Sequence, residues 1–256
     1  MTNNQESRKY IRKDVIVMTD RTRNIYNMHM SDSQGNGHSS ESREGMLKIT
    51  EIFHSLQGEA LQAGLPTVFV RLTGCPLRCT YCDSEYAFYG GEWFHFDDIL
   101  AEVRRYDTPH VCVTGGEPLA QKRCSQLLTR LCDEGYNVSL ETSGAVDISL
   151  ADRRVSRVMD LKTPESREVS SNLWSNLDEL TRNDQIKFVI CSRTDYEWVR
   201  SQLTERDLTS YCEVLFSPAW GLVDPSELAG WILQDRLPVR FQLQLHKLLW
   251  GDTPGK

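Results

Sequence analysis

From Met46 onward, short β-branched or apolar runs alternate with longer amphipathic stretches, and this alternation restricts the possible folds more than any other feature of the chain. Candidate strands are Thr67–Leu72, His110–Thr114, Asn137–Glu141, Arg157–Asp160, Gln185–Ile190, Glu213–Phe216 and Val239–Leu245, preceded by a strand-like segment from Leu47 to Phe53. Helix candidates fall between them at Phe96–Tyr106, Leu119–Glu134, Leu173–Thr181, Asp195–Leu203 and Pro225–Gln234. Strands separated by helical crossovers pair in parallel. About six crossovers are too few for the eight of a closed barrel. The expected fold is α/β, a partial (β/α) barrel of about six parallel strands with the helices outside.

The unusual polar and glycine residues follow the strands directly, at Thr114-Gly115-Gly116-Glu117-Pro118, Glu141-Thr142-Ser143-Gly144, Asp160-Leu161-Lys162-Thr163-Pro164, Ser217-Pro218-Ala219-Trp220-Gly221 and His246-Lys247. In parallel α/β folds ligands bind at the carboxyl ends of the strands. All five segments are therefore expected at one mouth.

Eight cysteines in a chain of 256 residues, with no apolar signal run at its start, read as reduced thiols or metal ligands rather than a disulfide framework. Cys112, Cys124, Cys132, Cys191 and Cys212 are scattered and read as ordinary buried thiols. Cys75-x3-Cys79-x2-Cys82 instead places three thiolates on one tight loop, which Gly74 and Pro76 suit for bending. Four thiolates saturate an iron–sulfur cubane, so three leave one iron open to a small ligand. Zinc is the main rival, but a structural zinc site takes four protein ligands, commonly as two separated pairs, and no second pair is apparent. A plain electron carrier is the non-enzymatic alternative, yet it has no use for five loops gathered at one face. Core packing explains the loop poorly, because Arg78, Thr80, Tyr81 and Asp83 flank the thiols.

Hydrophobic residues at 39% and charged residues at 25% are sufficient for one globular domain. No stretch approaches the ~20 apolar residues of a membrane span, so the cytoplasm is the expected location. Lys plus Arg total 29 against 36 Asp plus Glu, and the net charge of −7 argues against broad attraction to nucleic acid and fits a small-molecule substrate better. Residues 1–45, rich in Asn, Ser, Arg and Asp, read as a mostly disordered leader or upstream extension, with a partner-binding arm as the alternative. The catalytic domain is expected at 46–256.

Cys-x3-Cys-x2-Cys with an aromatic, Tyr81, before its last cysteine resembles the signature of the radical S-adenosylmethionine superfamily, and Gly115-Gly116-Glu117-Pro118 resembles its second motif. The resemblance implies a [4Fe-4S] cluster on Cys75, Cys79 and Cys82, with S-adenosylmethionine chelating the open iron and being cleaved to start radical chemistry. Glycines at 115 and 116 let backbone approach the methionine moiety, and Glu117 is expected to accept from its ammonium group.

Read outward, Phe53-His54-Ser55-Leu56-Gln57-Gly58-Glu59, Phe69-Val70-Arg71-Leu72-Thr73-Gly74-Cys75, Cys82-Asp83-Ser84 and Gln242-Leu243-Gln244-Leu245-His246-Lys247 resemble the 7-carboxy-7-deazaguanine synthases, from Met46 to the C-terminus. That resemblance implies the Mg²⁺-dependent conversion of 6-carboxy-5,6,7,8-tetrahydropterin to 7-carboxy-7-deazaguanine with loss of ammonia, on the way to queuosine in tRNA. It implies a homodimer and an electron donor such as flavodoxin or ferredoxin. It assigns the pterin to Leu56, Gln57, Gly58, Arg71 and Thr114, with Glu59 and His246 as further candidates. A carboxylated pterin offers Arg71 an anion and offers Gln57 and Thr114 a donor–acceptor edge; for Arg71 and His246 the plain alternatives are a surface strand charge and a structural histidine.

By the same resemblance S-adenosylmethionine meets Tyr81, Cys82, Asp83, Gly116, Ser143 and 160–162, with Ser217, Pro218, Ala219 and Trp220 near the adenosine. A turn role is the alternative for Ser143. Two positions depart from the family pattern. Ser84 stands where threonine is usual as the Mg²⁺ ligand, and Asp160-Leu161-Lys162 stands where many relatives have Ser-Pro-Lys. A hydroxyl oxygen survives at the first and the lysine at the second. The rival enzymatic reading is an activase that makes a radical on a partner protein.

Overall fold

The computed structural model describes residues 43–251, Thr253 and Gly255, together with a two-residue strand, β1 (Val15–Ile16). The expected leader otherwise lies outside the described residues. The remaining strands are β2 (Met46–Leu56), β3 (Pro66–Leu72), β4 (Glu92–His95), β5 (His110–Gly115), β6 (Asn137–Thr142), β7 (Ser156–Asp160), β8 (Gln185–Ile190), β9 (Glu213–Pro218) and β10 (Arg240–Phe241). One sheet contains them all, in the order β1-β2-β3-β5-β6-β7-β8-β9-β10, with β4 paired to β2.

From β3 to β10 every neighbouring pair is parallel, whereas β2 runs antiparallel to β1, β3 and β4. Six of the parallel strands have five to seven residues and β10 has two. The sheet does not close through strand pairing among the described residues. This is the expected partial barrel, with an antiparallel edge added.

The helices are α1 (Phe96–Arg104), α2 (Cys124–Asp133), α3 (Arg193–Glu205), α4 (Pro225–Asp235) and α5 (Leu245–Trp250). α2 shows why such segments are helical and where they face: Leu127, Leu128 and Leu131 recur on one stripe, all fully buried against the sheet. α4 starts cleanly because Asp224 accepts from Ser226 N and Pro225 needs no N–H partner in the first turn. β8 is buried at all six positions, as a strand covered on both faces must be.

Three expectations are corrected. Val239–Leu245 is not one strand: only Arg240–Phe241 joins the sheet, and Leu245 begins α5. Leu173–Thr181 forms a short 3-10 turn (Trp174–Glu179) rather than an α-helix. Leu119–Glu134 divides into a 3-10 turn (Pro118–Ala120) and α2. Past Phe241 the Gln242 side chain bonds the β2–β3 loop at Ala60, in Trp174–Glu179 the buried Asn176 amide donates to Gly144 O and Val146 O, and Pro118 opens a tight turn ahead of α2.

The loop between β2 and β3 plugs the barrel. Ala60 is buried with φ 63, a left-handed backbone unusual for a residue with a side chain. The Gln242 amide holds it from both sides, since Ala60 N donates to Gln242 Oε1 at 2.7 Å and Gln242 Nε2 donates to Ala60 O at 2.8 Å. Leu61 N donates to Gln185 Oε1 at 2.7 Å. The Leu56-Gln57-Gly58-Glu59 turn is thereby carried into the barrel interior.

Candidate active site

The three-cysteine loop leaves β3 through Gly74, whose φ of 102 favours glycine. Cys75, Cys79 and Cys82 are half-buried. Arg78 clamps the loop, donating to Cys75 O at 2.8 Å and Leu77 O at 2.6 Å while its guanidinium lies 4.3 Å from the Phe88 ring centre. On the other side Thr80 donates to Glu165 O at 2.7 Å. Buried Asp195 secures that turn by accepting from Thr163 Oγ1 at 2.8 Å and Glu165 N at 3.0 Å. Burial pushes the thiols up, Cys79 to about 11. Iron ligation would displace those protons.

Gly116 sits where no side chain fits. A Cβ there falls 2.3 Å from Gly74 O and 2.6 Å from Cys75 Cβ. Glu117 is placed otherwise than expected. Its carboxylate is fully buried and accepts from Leu119 N at 2.9 Å, Ser143 N at 2.7 Å, Ser143 Oγ at 2.5 Å and Thr142 Oγ1 at 2.9 and 3.0 Å. With these donors around it, Glu117 ties the β5 end to the Thr142–Ser143 turn and is not free for an ammonium group. Ser143 still lines the cavity, held there by Glu117.

A cavity of about 710 Å³ opens beside the cysteines, and the expected segments converge on it. Leu56, Gln57, Gly58, Glu59, Arg71, Thr114, Gly116, Tyr81, Asp83, Ser84, Ser143, Asp160, Lys162, Ala219, Trp220 and His246 all line it with the three cysteines. Leu161, Ser217 and Pro218 do not. Leu161 is fully buried in the main core, and Ser217 and Pro218 complete the buried β9.

The plug supplies one wall. Gln57 Nε2 donates to Glu141 Oε1 at 3.2 Å, and Thr114 Oγ1 donates to Glu141 Oε2 at 3.2 Å. Gly58 packs so closely under His246 that a Cβ would fall 2.1 Å from its Nδ1, and Leu245 N donates to Gly58 O at 3.0 Å. His246 thus enters from α5, not from a final strand. Arg71 pairs with Glu51 through Nε at 2.7 Å and donates weakly to Gly115 O at 3.4 Å. Three of its five N–H groups remain for an anion. Tyr86 OH donates to the same Glu51 oxygen at 2.7 Å.

Charge is dense at the centre. Lys187 Nζ pairs with Glu59 Oε2 and lies 3.6 Å from Asp160 Oδ2, while Lys162 Nζ lies 3.1 Å from Asp160 Oδ1. Burial alone lowers the Lys162 pKa, but Asp160 and the cysteines reverse this and keep the ammonium charged. At another corner Ser84 Oγ donates to Asp83 Oδ1 at 2.9 Å, and Lys247 Nζ lies 3.7 Å from Asp83 Oδ2.

These residues fit the cofactors. The Tyr81 hydroxyl beside the cysteines is buried without a partner among the described residues, and the Gly116 cradle excludes even a methyl group. No three thiol, imidazole or carboxylate groups among the described residues close around a single ion. A zinc ion requires such convergence, whereas a cubane bonds each thiolate to its own iron.

A profile of the Radical SAM superfamily matches residues 69–165. Over 219 residues the chain is 43% identical to the 7-carboxy-7-deazaguanine synthase of Chlorobaculum tepidum, covering 84% of this chain and 99% of that one. It is 44% identical over 225 residues to the synthase of Koribacter versatilis, covering 82% of this chain and all of the relative. The chain belongs to the 7-carboxy-7-deazaguanine synthase family. Its fold matches the crystal structure of QueE from Escherichia coli at a TM-score of 0.66 and 24% identity, over 82% of this chain and 100% of that one. As a member of this synthase family it is a radical S-adenosylmethionine lyase that uses a [4Fe-4S] cluster and S-adenosylmethionine. Family membership sets aside the zinc, electron-carrier and activase readings.

Several cavity residues of this synthase-family chain carried no role in the sequence reading. Lys187 and Tyr86 belong to no motif, and Glu141 stood only as a strand end. Gly251, Thr253 and Gly255 bring the C-terminal segment to the cavity. A polar residue inside a strand buried throughout was the available signal for Lys187.

Proposed function

We propose that the chain catalyses the Mg²⁺-dependent radical ring contraction of 6-carboxy-5,6,7,8-tetrahydropterin to 7-carboxy-7-deazaguanine, releasing ammonia, in the synthesis of queuosine and related 7-deazapurines. One observation carries this reading: a single cavity joins the three-thiol loop to the Arg71 guanidinium, the Gln57 amide, the Thr114 hydroxyl and the Glu59 and Glu141 carboxylates. That donor set suits a carboxylated pterin better than an apolar or purely cationic ligand.

Cys75, Cys79 and Cys82 would hold the cluster, with Tyr81, Cys82, Asp83, Gly116, Ser143, Asp160, Lys162, Ala219 and Trp220 around S-adenosylmethionine. When bound, these groups supply the one-electron chemistry that removes a hydrogen atom from the substrate. Arg71 pairs the substrate carboxylate through its free N–H groups. Gln57 and Thr114, both anchored on Glu141, read the heterocycle's edge from fixed positions. Glu59 accepts from the ring's N–H donors, and His246 closes over the Gly58 turn. Ser84 donates its proton to Asp83, which leaves its oxygen lone pairs for Mg²⁺.

The same reading extends to partners. An electron-transfer protein such as flavodoxin or ferredoxin would act as reductant, and a second copy of the chain would cover Leu248 and Leu249, which are half-exposed on α5. The described residues contain no helix long and apolar enough to cross a membrane, and the proposed location is the cytoplasm.

The test is an anaerobic assay of the iron- and sulfide-reconstituted protein with reductant, Mg²⁺, S-adenosylmethionine and the carboxytetrahydropterin. Deazaguanine product with little net loss of S-adenosylmethionine is expected, and omitting Mg²⁺ should lower the rate. Release of 5′-deoxyadenosine with no deazaguanine would overturn the proposal.

A further inference from the structure

Glu59 enters the barrel on the plug with its carboxylate already engaged. Oε1 accepts from Gln244 Nε2 at 2.7 Å, and Oε2 pairs with Lys187. Lys187 stands in the middle of β8, where every residue is buried, and its side chain reaches the cavity. A buried ammonium is costly unless acids surround it. Glu59, Asp160 and Glu141 do so, and Tyr81 also faces it. His246 faces Glu59 from α5.

We propose, on the ring-contraction reading of this site, that Lys187 is a positioning residue that holds Glu59 as a fixed carboxylate facing the paired N–H donors of the pterin's aminopyrimidinone edge. Each carboxylate oxygen has two acceptor positions, so Gln244 and Lys187 leave one free on each. Two free acceptors on neighbouring oxygens match two N–H donors. A protonated Glu59 would present an O–H to those donors and lose the match.

The electrostatics agree with the geometry. Burial pushes the Glu59 carboxyl up, but the Lys187 charge and hydrogen bond, the Gln244 hydrogen bond and the His246 charge outweigh it and hold the group well below the usual carboxylate range. Removing the ammonium takes away the two strongest of these opposing influences, while burial, the largest single one, stays. Glu59 would then take up a proton as the pH falls from neutrality, while the unaltered protein keeps it ionised.

The experiment uses the cluster-loaded full chain and steady-state kinetics with the carboxytetrahydropterin. In Lys187→Met, KM should rise about tenfold or more at about pH 6 and recover toward about pH 8, with kcat changed less than about threefold. The unaltered enzyme and Lys187→Arg should show no such pH dependence. The S-adenosylmethionine Kd in the oxidised protein, where turnover is blocked, should stay within about twofold, a readout that a general structural defect would move.

Glu59→Gln should raise KM at every pH, and adding Lys187→Met to it should cost little more, because the two act as one unit. That double variant carries no lone buried charge, so comparing it with Glu59→Gln alone remains informative even where Lys187→Met by itself folds poorly. A pH-independent KM in Lys187→Met, or additive losses in the double variant, would overturn the inference while leaving the site reading intact. No deazaguanine from the unaltered enzyme would overturn both.

Discussion

At the scale of single residues, Gly116 and Glu117 show how one short motif divides its labour. Gly116 lies so close to the cysteine loop that an added methyl group would meet both Gly74 O and Cys75 Cβ at under 3 Å. Both contacts are with backbone or a short, fixed side chain, so the loop itself must move. Gly116→Ala should therefore reconstitute with less than about half the iron of the unaltered protein, while far-UV circular dichroism stays the same. An equal iron content per chain would show that the loop yields at no cost. Glu117, the charged residue of the motif, makes no cavity contact. Its two oxygens satisfy main-chain and hydroxyl donors that would otherwise be buried unpaired. The motif's acid therefore acts through Ser143 and its glycine through Cys75.

At the scale of elements, the plug between β2 and β3 is the piece that turns an open sheet into a pocket. It brings Gln57 and Glu59 inside, and the chain's last segment secures it through Gln242, Gln244 and Leu245. The Gln242 amide compensates for the left-handed Ala60 backbone by pairing both its N–H and its carbonyl. Gln242→Ala would strand both groups inside the barrel. The expected loss is about 1–3 kcal/mol in urea denaturation, with a raised KM for the pterin because Glu59 is the adjacent residue. Unchanged denaturation would mean that Gln185 and the Gly58–His246 contact hold the plug alone. α5, short as it is, belongs to the same assembly, since Gly58 has no room for a side chain beneath His246.

At the scale of the whole molecule, the main core runs from Leu47 to Ile232 and every described cavity residue lies after it begins. We propose that the catalytic domain is complete without the leader. Two contacts place its working boundary slightly ahead of Met46: Phe96 N donates to Gly45 O at 2.8 Å, and the Arg43 guanidinium lies 4.4 Å from the Trp93 ring centre. Among the described residues, a chain beginning at Arg43 loses only the two-residue edge strand β1 from β2, and it should keep its turnover and lose no more than about 2 °C in thermal midpoint, the size of effect that peripheral contacts carry. A larger fall in differential scanning calorimetry would assign residues 1–42 a part in stability.

Features that depend on short range are legible in the order of residues alone. Alternating apolar runs set six strands within a residue or two of their observed limits, the cysteine spacing marked the loop, and strand ends marked the mouth of the cavity. The rest emerges only on folding, because its causes are far apart in the chain. Glu59 and Lys187 are 128 positions apart, and Ala60 and Gln242 are 182 apart, so no local period connects them. Gln242-Leu243-Gln244-Leu245 alternates as a strand would, yet ladder pairing stops at Phe241 and Gln242 turns to the plug. Glu117 has the chemistry of a cofactor ligand, and only the donors gathered around it in the folded chain make it a brace.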